Sequence, residues 1–572
     1  MAADDSGNPP GPDEAPGPDE APDADKAPGG AGGVEGAGEV EGAGEVGGTA
    51  HRRWAISGRR AGGASLLSGP ASSSTRTWLA IFAASFGLFL VRLLVPTPVA
   101  QADNRDGPRL LCGLGLGPVT GGHALYFRYA YFEYVTRPYC AGRAPYPSSE
   151  LVPLEIGRVL TPVFGLRGAL NLIAVGILIC ALASAGIASL AVGLRIRLWA
   201  RILVAAVIWV VMADAALFDT YAGPFSEPVA LVGLVLVAAG VLYLRRDWCS
   251  TLIGLTLAGT GGFLAILSKE QYLILAGPIC LTLVLASAAP GRWYRLRRFR
   301  TREAAASAMV AALLAILTVG YIGWDFTSHY GQRLHYIQAV DMIFTDIVTN
   351  RATAPGQLRS LGLPASWARY AGRYYWEVGS VRTSPDFSRY ESHLGDGTIA
   401  RYLVTHPGSV ISIGQAAAEQ AQLVRDNVLG DYPVLAGYRP GHTESRVVVF
   451  TSLMQRLPRR LGLLWYIPLW TVMAAIGIVA LARSRRLPWH RDGAVLVLCM
   501  TGCAITAFIP PAYFAGISTT RHMVGTNLAT ALALTVAVGL AVSMAYQAIR
   551  RTPGRSAGQP SAAPPELAKR GS

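Results

Sequence analysis

Apolar residues fall in ten runs with polar breaks between them, near residues 78–97, 168–192, 198–218, 227–245, 250–268, 271–289, 304–324, 462–482, 493–514 and 525–547. About 20 apolar residues in helix cross the hydrocarbon core of a bilayer, so the pattern predicts a polytopic, all-α membrane protein of about ten transmembrane helices. If the first span enters from the cytoplasm, the inner ends carry Arg52, Arg53, Arg59, Arg60, Arg76, Arg195, Arg197, Arg245 and Arg246. They continue with the cluster from Arg292 to Arg302, then Arg483, Arg485, Arg486, Arg550 and Arg551. The short outer connections hold only Lys269 and Arg521. Basic loops stay on the cytoplasmic side, which predicts a multi-pass plasma-membrane protein with both termini in the cytoplasm.

This topology divides the chain into a cytoplasmic tail (1–76), seven spans (77–324), an extracytoplasmic segment (325–461), three spans (462–548) and a second tail (549–572). A further outer segment, 98–167, follows the first span. It is rich in Tyr and Arg, among them Tyr126, Arg128, Tyr129 and Tyr131, and suits the headgroup interface. Segment 325–461 mixes turns with a helical stretch, Ile399 to Arg425, that bears an apolar stripe. It is expected to fold as a small, mainly helical cap or to lie along the interface.

Composition sharpens this picture. Of 572 residues 51% are hydrophobic and 15% charged, and mean hydropathy is +0.35; ordinary soluble domains carry about 25% charge. The total charge of +14 hides an asymmetry, because the first fifty residues hold twelve acids against the single base Lys26. That leaves +25 for the remainder, most of it Arg in short inner loops, so no nucleic acid is implied. The near-repeats PGPDEAPGPDEAP and VEGAGEVEGAGEVGG cannot bury enough apolar surface to offset ordering, so the N-terminal tail is expected to be disordered. Seven cysteines without a C-x-x-C pair argue against structural zinc. Only Cys112 and Cys140 fall outside, where a disulfide between them can form.

The chemistry lies in polar residues at the outer ends of spans. Directly after the first span the chain reads Gln101-Ala102-Asp103-Asn104-Arg105-Asp106-Gly107-Pro108-Arg109. Two carboxylates three residues apart can act as base, cation ligands or substrate clamps, or simply form a solvated turn. Lys269, in Ser268-Lys269-Glu270-Gln271, is a point-charge ligand for phosphate or an interfacial turn residue. Asp219 and Glu227 flank Gly223-Pro224, and Thr519-Thr520-Arg521-His522 precedes the last span. Asp214 and Arg92 are further intramembrane charges, costly unless paired or solvated.

These features together resemble the GT-C superfamily of integral-membrane glycosyltransferases, within it the bacterial cell-envelope hexose transferases. The resemblance rests on Asp103 to Asp106 with Arg109, on Ser268-Lys269-Glu270-Gln271, on Ser226-Glu227-Pro228, on Arg521-His522 and on His406-Pro407-Gly408. It covers residues 78 to 548 and implies transfer of a hexose from a polyprenyl-phosphate donor to a glycan, lipid or protein acceptor on the extracytoplasmic side. In that family a first-loop carboxylate lies near the reacting centre, which maps to Asp103 or Asp106, with Asp103 favoured as the nearer to the membrane surface. Asn104, Arg109, Glu227, Lys269, Gln271, Arg521 and His522 become the substrate contacts. Some relatives need a divalent cation and others none; here Arg105 interrupts the acids. A transporter, flippase or polymerase of lipid-linked envelope glycans would use similar cations, though no repeated halves are evident.

The topology is testable by cysteine-accessibility labelling. Thiols introduced beside Gly107 and Asp386 are expected to react from outside in intact cells, and labelling only after permeabilisation would overturn the arrangement.

Overall fold

The computed structural model describes residues 73–104, 106–119, 127–137, 147–244, 247–288, 297–425, 428–484, 488–516 and 519–551. Nearly all of both expected tails lies outside the described residues, as do Arg105, Tyr126, Cys140, Arg245, Arg246, Arg292, Arg295, Arg485 and Arg486.

All ten apolar runs are helical. Among the described residues seven helices are long and apolar enough to cross a membrane: Ser73–Leu94, Leu172–Gly193, Trp248–Ile266, Arg302–Thr327, Leu463–Arg483, Trp489–Tyr513 and Thr520–Ile549. The other three, Leu198–Met212, Glu227–Val241 and Glu270–Ala286, are shorter. Fifteen residues of helix reach about 22 Å against a core of about 30 Å. Seven of the ten expected spans thus have the length to cross, and the other three fall short for local reasons. The run at 198–218 breaks at Asp214, whose Oδ1 accepts the Ala216 N–H at 3.2 Å and starts a separate turn, Ala215–Phe218. The run at 271–289 opens as a tight 3₁₀ turn, Glu270–Leu275.

Helix Glu227–Val241 is buried along its whole length, as expected for a helix apolar on every side. It packs against Trp248–Ile266 with the backbones in contact. A Cβ on Gly233 would come 2.5 Å from the Gly261 carbonyl oxygen, and one on Gly240 would come 2.6 Å from that of Gly254. Small residues at such crossings replace side-chain packing with close backbone approach. The crossing sets Glu227, first residue of one helix, beside the Ser268-Lys269 turn that ends the other.

The segment after the first span is more ordered than an interfacial loop. Strands Leu116–Pro118, Glu133–Thr136 and Leu170–Asn171 form a small antiparallel sheet, with Leu116 opposite Thr136 and Tyr134 opposite Leu170. This sheet is the exception to the all-α expectation. Helix Leu151–Val163 buries Leu154, Gly157 and Thr161 and exposes Val152, Ile156, Val159 and Val163, an apolar stripe suited to a membrane interface. Cys112 is disulfide-bonded, and Cys180, Cys249, Cys280, Cys499 and Cys503 are free.

Residues from His329 onward form short helices around a second core that includes Phe344, Leu358, Trp367 and Ile399. The single helix expected from Ile399 to Arg425 is instead two, Asp396–Thr405 and Pro407–Leu423. Pro407 supplies no N–H to continue the first helix and forces His406 out of the helical region. His335 ties this cap to the bundle, with Nε2 2.7 Å from Asp325 and Nδ1 3.0 Å from Asp396.

The glycine crossing gives a direct stability test. Gly233→Ala and Gly261→Ala each force a methyl into opposing backbone and are expected to destabilise the protein by about 1–3 kcal/mol, seen as a lower Tm in detergent. Gly277→Ala and Gly320→Ala, where a Cβ meets nothing within 4 Å, are expected to leave Tm unchanged or raised. Equal Tm across all four would show that backbone contact does not hold the pair.

Candidate active site

The chain leaving the first span is held on both sides by backbone hydrogen bonds. Ala100 N–H donates to the Asp431 carbonyl at 3.1 Å, Gln101 N–H to that of Asp219 at 2.5 Å, and Ala102 N–H to that of Gly430 at 2.7 Å. The next residues coil through their own side chains. Asp103 Oδ1 accepts the Gly107 N–H at 2.9 Å, and Asn104 Oδ1 accepts the Asp106 N–H at 3.2 Å. The Asn104 bond is an Asx turn, and the two together lead into the short helix Gly107–Cys112. Gly107 is needed for this approach, because a Cβ there would meet the Asp103 carboxylate and lie 2.9 Å from Pro224.

Behind the loop lies a buried ionic network. Arg92 pairs with Asp219 at 3.2 Å and Glu444 at 3.1 Å, and Arg425 pairs with Asp219 at 3.0 Å and with Asp431. Glu444 also accepts from Tyr432 Oη at 2.7 Å and Arg446 Nε at 2.7 Å. Arg92 and Asp219 thus act as structural counter-ions to residues of the cap. Asp214 is similarly occupied, since it accepts the Thr451 N–H at 3.0 Å.

On the other side of the loop the remaining predicted residues meet. Arg521 Nη2 donates to Asp106 Oδ2 at 2.6 Å, and its Nε lies 3.5 Å from Glu227 Oε1. Lys269 Nζ is 3.5 Å from the same Glu227 oxygen and 3.1 Å from His522 Nε2. Lys269 can only donate, so that imidazole nitrogen accepts, and Nδ1 lies 3.0 Å from the Gln271 side-chain nitrogen Nε2. Arg109 Nη1 is 3.5 Å from Asp106 Oδ1. The Phe225 ring covers Arg521, whose guanidinium carbon lies 5.2 Å from its centroid. Of the nine residues named from the sequence, Asp106, Arg109, Glu227, Lys269, Gln271, Arg521 and His522 form one chain of contacts, while Asp103 and Asn104 shape the turn that presents Asp106.

Glu227, Lys269, Gln271, Arg521 and His522 are all buried, whereas the Asp106 side chain retains 21% exposure and is the open edge of the cluster. Burial alone would raise the Asp106 carboxyl, but the fields of Arg521, Lys269 and Arg109 hold it well below the usual carboxylate range. Two buried cations against one glutamate oxygen, with a partly exposed aspartate closing the group, suit an anion that replaces a carboxylate on Arg521. A divalent cation does not fit these groups. Both Asp106 oxygens face arginines, Asp103 Oδ1 holds the Gly107 N–H, and no cluster of three His, Cys, Asp or Glu able to hold a metal occurs among the described residues.

Two features escaped sequence reasoning. Arg425, Asp431 and Glu444 lie far along the chain from Arg92 and Asp219, with no local pattern to mark the connection. Glu150, in Ser148-Ser149-Glu150, carries no local pattern that marks it, yet it is 1% exposed beside Glu227.

No curated protein and no solved structure matches the chain. A family model for the YfdI N-terminal transmembrane domain matches residues 71–556, from the first span past the last and across every residue of the cluster. This polytopic membrane protein belongs to the YfdI N-terminal transmembrane domain family.

Proposed function

We propose that the protein is a membrane glycosyltransferase that moves a hexose from a polyprenyl-phosphate donor to an envelope glycan, lipid or protein acceptor on the extracytoplasmic face. The observation that carries this reading is Asp106 held at 2.6 Å by Arg521, which shares Glu227 with Lys269. The glycosyltransferase-like character of the family supports it.

The donor's phosphodiester takes Arg521 and Lys269 as its partners. Guanidinium and ammonium groups bind phosphate oxygens by charge-assisted hydrogen bonds, and in a desolvated site these gain strength as charge develops. Loss of Arg521 as a partner frees Asp106, whose proton affinity then rises towards that of an ordinary carboxylate. An acceptor hydroxyl oxygen attacks the anomeric carbon and its proton passes to Asp106. The bond from the anomeric carbon to the phosphate oxygen breaks, and its electron pair leaves on polyprenyl phosphate, where Arg521 and Lys269 receive the added charge. Asp106 is therefore base and placeholder in turn. Asp103 and Asn104 hold the turn, and His522, Gln271 and Glu227 fix the Lys269 head.

Transfer from radiolabelled polyprenyl-phosphate glucose, galactose and mannose, each offered to membranes bearing the full-length protein, tests the assignment. Asp106→Asn is expected to lower transfer by at least about 10²-fold, the lower bound for loss of a positioned base. Asp103→Asn keeps a carbonyl oxygen for the Gly107 N–H and is expected to stay within about tenfold of the parent. Full transfer by Asp106→Asn at normal expression would remove Asp106 as the base, and transfer of none of the three sugars by the parent protein would contradict the proposed reaction.

A further inference from the structure

Three arginines stand just ahead of the span that begins at Leu463: Arg456, Arg459 and Arg460. In the topology that the basic inner loops predict they are on the outer side, where basic residues beside a span are depleted. All three are exposed, and none has an ion-pair or hydrogen-bond partner for its guanidinium among the described residues.

The helix that carries the first of them, Val449–Arg456, has two faces. Phe450, Thr451 and Met454 pack inward, whereas Val449 is 60% and Leu453 62% exposed. Val449, Leu453 and Arg456 follow at i, i+4 and i+7, so the exposed apolar residues and the cation form one stripe. The helix is pinned in place. Thr451 donates its N–H at 3.0 Å, and its hydroxyl, to the Asp214 carboxylate at the end of helix Leu198–Met212. Gln455 Nε2 donates to the Leu423 carbonyl at 3.1 Å. Gln415 fixes the link to the span, donating to the Arg460 carbonyl at 3.0 Å and accepting the Leu463 N–H at 3.0 Å.

Depth follows from these attachments. Helix Leu198–Met212 exposes the apolar Leu203 and Val207, and its length leaves it about 8 Å short of the hydrocarbon core. A helix about 10 Å thick set on its end makes up that difference. Val449 and Leu453 thus fall at the boundary of acyl chains and headgroups, where the half-buried Trp465 of the adjoining span also belongs.

We infer that Val449–Arg456, together with Arg459 and Arg460, is a docking surface for anionic phospholipids of the leaflet at the cluster's end of the bundle. The apolar stripe enters the acyl boundary, and the three cations meet phosphates whose lipids carry net negative charge. A zwitterionic lipid offers the same apolar contact, but its own ammonium competes for its phosphate. The assignment is independent of the glycosyltransferase reading and goes beyond it.

The full-length protein in nanodiscs of mixed phosphatidylglycerol and phosphatidylcholine, doped with a photoreactive analogue of one lipid or the other, allows the contact to be mapped. Adducts on the peptide bearing Val449 and Leu453 are expected from both analogues, with phosphatidylglycerol in excess. Each arginine at an anionic surface strengthens attraction about fivefold. The variant Arg456→Gln/Arg459→Gln/Arg460→Gln is therefore expected to cut the excess at least about fivefold while keeping the phosphatidylcholine adducts. Removing the same charge from exposed positions elsewhere, in Arg351→Gln/Arg359→Gln/Arg401→Gln, is expected to leave the excess intact. In the parent protein high salt is expected to lower it, because exposed charges are screened; should the first variant lose both kinds of adduct by unseating the helix, this salt response decides. The inference falls if the peptide gives no lipid adducts or the parent shows no excess of phosphatidylglycerol. It falls equally if the excess survives high salt or loss of the three arginines, or if the charge-matched control loses it to the same degree.

Discussion

Arg521 and Lys269 are cations buried at the end of a membrane bundle, and charge taken out of water must be met by opposite charge or by full hydrogen bonding. That demand organises the site. Arg521 takes Asp106 from the first loop and Glu227 from a helix start, and Lys269 takes the same Glu227 and the His522 imidazole. Four stretches of chain, more than 400 residues apart at the extremes, are brought together by unmet charge. The cluster's least buried member is Asp106, the edge at which the proposed anion would enter.

The surroundings keep this from being a loose cluster of side chains. Close contact between Gly233 and Gly261 fixes where Glu227 stands relative to Lys269. The pairs from Arg92 and Arg425 to Asp219, Asp431 and Glu444 hold the cap against the turn beneath the first loop. Backbone bonds from residues 100–102 to Asp219, Gly430 and Asp431 then leave Asp103 to Asp106 little freedom. A reacting group needs such restraint, because misplacement by about 1 Å can cost about 10²-fold in rate.

Much of this was legible in the sequence, since hydrophobic runs announce helices and polar residues at their ends announce a site. Lys269, Glu227, Arg521 and Asp106 were each visible as charges beside the membrane, and topology placed them at one end. Which aspartate contacts Arg521 was not legible. Distance from the first span favoured Asp103, but its Oδ1 accepts the Gly107 N–H while Asp106 meets Arg521. The break at His406 follows from Pro407, and the end of a span at Met212 from the capping preference of Asp214; both rules are local, but an apolar window averages over them. The pairing of Arg92 and Arg425 with Asp219 could not be read at all, because ion pairs across such separations leave no periodicity.

In the proposed mechanism Asp106 and the lipid phosphate compete for Arg521. The decisive measurement is the Kd of the purified protein for bare polyprenyl phosphate, compared with Asp106→Asn and Arg521→Leu. Competition requires Asp106→Asn to bind severalfold more tightly than the parent, because the carboxylate no longer occupies the guanidinium, and Arg521→Leu to bind more weakly. Equal or weaker binding by Asp106→Asn, or binding indifferent to Arg521, would contradict the account.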